Sequence, residues 1–191
     1  MLQFVGAEQA LTAGNRSEAI TSLWAIVTKV RSPNAYSRAT LRLAEVLPAS
    51  DTRGWDDLTG YLSDVSHRLQ DWNALFRLYR IQYQRNPAAA TEALEKELAG
   101  AGAPLRRAAC QILLAEFYFR SGRVTEAEIL LNSIEEDVGT TVTDIALRRR
   151  FLELGEQVWE SAAATDPRQR ERAAAYARLL ADFDARAAKI L

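Results

Sequence analysis

The chain has 191 residues, 48% apolar and 26% charged, and its 24 basic and 25 acidic side chains leave a net charge of −1. That length can bury a core in one compact unit or one continuous array. The charge balance argues against nucleic-acid binding, which draws much of its affinity from a basic excess. The single cysteine, Cys110, excludes an internal disulfide and a cysteine-based zinc site.

Apolar residues recur every three or four positions, the period of amphipathic helices, and no run alternates strictly as a strand would. In chain order the period predicts ten helices: 2–12, 16–30, 34–47, 53–67, 70–85, 88–100, 104–120, 124–136, 141–162 and 167–190. Gly14 and Gly122 suit the left-handed residue that ends a helix, because glycine has no Cβ to clash there. Pro33, Pro87, Pro104 and Pro167 stand where helices start, since a first turn needs no amide donor. Thr140 or Thr141 is expected to cap the ninth helix. The turns are short, so neighbouring helices should pack antiparallel.

The N-terminus "MLQFVGAEQALTAG" lacks a basic start and a long apolar run, and no segment reaches the roughly 20 apolar residues that cross a bilayer. The expectation is a cytoplasmic chain without membrane insertion. Abundant Ala, with Arg far above Lys, is the compositional mark of a GC-rich bacterial genome.

Few residues point to chemistry. There is no G-x-x-x-x-G-K-[ST] phosphate loop, and "GAG" at 100–102 has no strand before it. His67 is the single histidine, which excludes any two-histidine metal site, and it lies at a predicted helix end where a cation complements the dipole. Cys110 lies in the apolar run "AACQILLAEF" and is expected to be a buried structural thiol. The carboxylates of "EEDV" at 135–138 and of Asp56–Asp57 read as a solvated surface. The densest basic clusters are "LRRRF" at 147–151 and "DPRQRERAAAYAR" at 166–178, and the second reads as a salt-laced helix face. No enzyme activity, cofactor or metal is expected.

The stretch "LLAEFYFRSGRVTEAEILLNSI" at 113–134 resembles one tetratricopeptide repeat (TPR), a helical hairpin of roughly 34 residues. Leu114, Ala115 and Tyr118 stand at its L-G-Y places, Gly122 at its turn, and Ala127 with Leu131 at its A-x3-F pair. "WNALFRLY" supplies Trp72, Leu75, Phe76 and Tyr79, and "FLELGEQV" supplies Phe151, Leu154, Gly155 and Val158. "AGNRSEAITSL" offers Gly14, Ala19 and Leu23, and "AYSRATLRL" offers Tyr36, Ala39, Thr40 and Leu43. The first-helix anchors Gln3, Tyr36, Trp72, Gln111 and Phe151 are spaced 33, 36, 39 and 40 residues apart, and residues 48–54 look inserted. The residues leave another α-solenoid or a globular helical bundle as alternatives.

The resemblance implies an all-α fold: a right-handed solenoid of about five antiparallel hairpins, at 1–33, 34–69, 70–103, 104–139 and 140–191. It implies a single domain and a concave face lined by the first helix of each hairpin. Carried onto this chain, the ligand-facing positions are Phe4, Leu11, Ser37, Leu41, Asn73, Arg77, Arg80, Ile112, Glu116, Phe119, Arg120, Leu152, Glu156 and Trp159. Arg77 and Arg80, joined by Arg120, would grip an acidic stretch. The only lysines, Lys29, Lys96 and Lys189, occupy no such position, so the clamp for chaperone C-termini is not expected. The implied function is a non-catalytic adaptor or chaperone-like scaffold that binds a peptide or helix of another protein. The alternatives are a self-assembling scaffold joined through the apolar ends "MLQFV" and "ARAAKIL", and an interaction domain of a larger regulatory protein.

Overall fold

The computed structural model describes residues 2–29, 33–68, 71–140 and 144–187, all helical apart from short connections. The helices are α1 (Leu2–Thr12), α2 (Arg16–Lys29), α3 (Pro33–Val46), α4 (Thr52–Arg68) and α5 (Trp72–Arg85), followed by α6 (Pro87–Gly100), α7 (Pro104–Arg120), α8 (Val124–Thr140), α9 (Ile145–Thr165) and α10 (Arg170–Ala187). Among the described residues there is no strand, and no helix is long and apolar enough to cross a membrane. Tertiary contacts divide the chain into two compact units, Met1–Ile81 and Gln82–Leu191, with the boundary inside α5.

The two expected glycine turns share one construction. Gly14 and Gly122 both have φ +79°, in the left-handed region. In each turn the glycine amide donates to the carbonyl three residues back, Leu11 or Phe119. The next amide, of Asn15 or Arg123, donates five residues back, to Ala10 or Tyr118. These are the paired bonds of a Schellman motif, which satisfies carbonyls that the helix end leaves open. The side chain after each glycine then reaches into the new helix: Asn15 donates to Glu18 and Arg123 to Glu126, both at 2.9 Å. Ala19 and Leu23 follow the first turn at the offsets at which Ala127 and Leu131 follow the second, and all four are fully buried.

The other starts also follow from local chemistry. Asn86 accepts the Ala89 amide ahead of Pro87, and Pro104 opens α7 without a side-chain cap. Asp51 and Asp71 accept amides at the starts of α4 and α5. Two expectations change. The cap of α9 is Asp144, which accepts the Leu147 amide at 2.8 Å. Thr140 ends α8, and Thr141 lies outside the described residues. The predicted helix from residue 167 opens as a single 3-10 turn, Pro167–Gln169, because Asp166 accepts the Arg168 amide and tightens the entry before α10.

In the first unit α1 packs on α2 and α2 on α3; Ala7, Ala19, Leu23 and Leu43 on these helices are fully buried, as are Leu58 and Leu62 on α4. In the second, α6 packs on α7, α7 on α8 and α9, α8 on α9, and α9 on α10. Leu94, Ile112, Leu113, Leu131, Val158 and Trp159 fill that core. The hairpin α9–α10 is antiparallel: Arg172, early in α10, stacks on Trp159, late in α9, while Asp184 pairs with Arg149 near the other end.

Side chains also join helices two apart in the chain. In the first unit Arg42 on α3 pairs with Glu8 on α1, Tyr61 on α4 donates to the Val27 carbonyl of α2, and Arg77 on α5 donates to Thr40 on α3. In the second, the Tyr83 ring stacks on Phe117 of α7 at 4.2 Å, Arg150 on α9 pairs with Glu116 on α7, and Arg172 and Tyr176 on α10 both reach Glu135 on α8.

Candidate functional site

The ligand-facing positions inferred from sequence separate by burial. In the first unit Phe4 and Leu11 are half-buried and Leu41 is exposed, while the side chains of Ser37 and Asn73 lie outside the described residues. Arg77 is half-buried and donates to the fully buried Thr40 hydroxyl at 3.3 Å. The Arg80 guanidinium lies 5.4 Å from the centre of the Phe76 ring. In the second unit Ile112, Leu152 and Trp159 are core residues, at 0%, 7% and 1% exposure. Their faces of α7 and α9 pack against neighbouring helices and are closed to a partner. Phe119 and Glu156 are half-buried and Arg120 is exposed.

Glu116 is a charged side chain in the interior, 2% exposed. Its Oε2 lies 2.8 Å from Arg150 on α9, and its Oε1 lies 2.9 Å from Arg120, one helical turn along α7. A carboxylate withdrawn from water needs such partners, since desolvation otherwise outweighs its attraction to one cation. Arg150 also reaches Glu153, and Arg149 bridges Glu153 to Asp184 on α10. Two arginines of the basic stretch at 147–151 are thus bonded across the α7–α9 and α9–α10 seams.

A second cluster joins α8, α9 and α10. The buried Tyr176 ring packs 5.7 Å from Phe151 and 6.3 Å from Trp159 and lies close against α9 at Gly155. A Cβ on Gly155 would come within 2.2 Å of a Tyr176 ring carbon, so glycine is what admits the ring. The Tyr176 hydroxyl donates to Glu135 at 3.0 Å. Burial, reinforced by the Glu135 charge, pushes the Tyr176 phenol up to about 12. Arg172 lies 4.0 Å over the Trp159 ring and bonds to Glu135 at 2.6 Å and to Asn132. Burial also holds Glu128 above the usual carboxylate range, against the pull of Arg172.

Glu135 and Arg172 therefore do more than the solvated-surface and salt-laced readings assigned them. Each meets partners 37 or more residues away, which local charge patterning does not reveal. Glu135, Arg150, Arg172 and Tyr176 are absent from the sequence-derived set for the same reason. The one local signal was Gly155, a small residue that marks a close approach.

The remaining singled-out groups occupy ordinary places. Cys110 is fully buried, and burial pushes its thiol up to about 12, far from a reactive thiolate. His67 is exposed near the end of α4, with Nδ1 2.8 Å from the Ser63 carbonyl. Among the described residues no three His, Cys, Asp or Glu side chains gather as metal ligands would. The two clusters join guanidinium, carboxylate and aromatic groups across helix seams, with Glu116, Trp159 and Tyr176 buried. Compared with protein-family models, curated proteins and solved structures, the chain matches none.

Proposed function

We propose that the chain is a protein–protein interaction adaptor, built as a right-handed TPR-like solenoid and holding a peptide or helix of a partner against its odd-numbered helices. The observation that carries this reading is the spacing of its side-chain ties. Helices two apart in the chain are joined at separations of 34, 34 and 37 residues in the first unit. In the second unit the separations are 34, 34, 37, 40 and 41. A hairpin repeat of roughly 34 residues brings equivalent helices together at such intervals, because each hairpin covers its apolar stripe only against the next. The matching turns at Gly14 and Gly122, with their Ala and Leu at equal offsets, support the same reading.

The accessible part of the inferred surface is Phe4, Leu11, Leu41, Arg77 and Arg80 in the first unit, and Phe119, Arg120 and Glu156 in the second. Arginine and aromatic side chains carry much of the energy of protein interfaces. In this reading the protein is non-catalytic, works without a cofactor, and is bacterial and cytoplasmic.

Self-association is the second reading, and α1 favours it. Val5 is 49% exposed there, and a shallow groove of about 490 Å³ runs past Phe4, Val5, Gln9 and Ala13. The described part of α10 is mixed: Leu179 is 51% exposed on it, beside exposed Glu171, Arg178 and Asp182.

The test uses the double variant Phe119→Ser/Glu156→Arg, whose folding is checked by thermal melting. Proteins captured by the wild type are purified and titrated against both forms. An adaptor binds its purified partner at least about tenfold more tightly as wild type than as variant, about 1.4 kcal/mol. The adaptor reading is lost if the wild type holds no purified partner and light scattering instead shows oligomers that Val5→Lys dissolves.

A further inference from the structure

We draw no further inference here: the strongest candidate, the arginine pair Arg120 and Arg150 gathered on the buried Glu116 at the α7–α9 seam, is matched by carboxylates at Glu116 and Glu153 and belongs to the site already described.

Discussion

Tyr176 shows how much one side chain does for the second unit. Its ring fills the notch at Gly155, touches Phe151 and Trp159, and carries a hydroxyl to Glu135. The phenol is held above its ordinary value of 10.0, at about 12, so the folded state binds that proton more tightly than the unfolded chain. The stabilisation is therefore complete below about pH 10 and is lost as pH rises through about 12, amounting to at most ~3 kcal/mol. Melting temperature followed from pH 8 to pH 12 should fall steeply above pH 10, and Tyr176→Phe should fall less over that interval. Equal slopes would remove Tyr176 from the alkaline transition. Gly155→Ala tests the same notch from the other side. Alanine ordinarily favours a helix by about 1 kcal/mol over glycine, yet its Cβ would overlap the Tyr176 ring. A net loss of about 2 kcal/mol in urea unfolding, with a weakened near-ultraviolet signal from Trp159, is expected. A stabilised variant would mean that the ring moves aside at little cost.

At the scale of elements, the helices are set by rules that act over a few residues. Prolines open α3, α6 and α7, Asn86 and Asp144 cap α6 and α9, and Gly14 and Gly122 close α1 and α7. No atom lies within 4 Å of a Cβ built on Gly14 or Gly122, so their replacement costs only backbone strain. Gly122→Ala and Gly14→Ala should each lose about 1–2 kcal/mol, measured by chemical denaturation. A cost near zero at either position would mean that its turn adopts another conformation. Boundaries predicted from period and punctuation fell within a few residues of the observed ones. The end of α8 and the start of α9 moved furthest: Thr140 is the last residue of α8, and α9 starts behind Asp144, which accepts the Leu147 amide.

For the whole molecule, the division into Met1–Ile81 and Gln82–Leu191 makes a physical prediction. A fragment of residues 71–191 keeps Asp71, which accepts the Ala74 amide, and all of α5. It should melt cooperatively by circular dichroism, since the α6 to α10 contacts lie within it. A fragment that stays unfolded would show that the second unit depends on the first. The sequence by itself determined the helical segments, their glycine and proline punctuation, and the buried positions Ala19, Leu23, Ala127, Leu131 and Val158. These follow from interactions three to five residues long, which a single pass along the chain can read. Only the tertiary structure decided that Ile112, Leu152 and Trp159 are closed to solvent, that Glu116 is buried between arginines, and that Arg172 and Tyr176 meet on Glu135. Those outcomes depend on which helix faces lie side by side, and their partners stand 34 to 41 residues apart, beyond the reach of any local period.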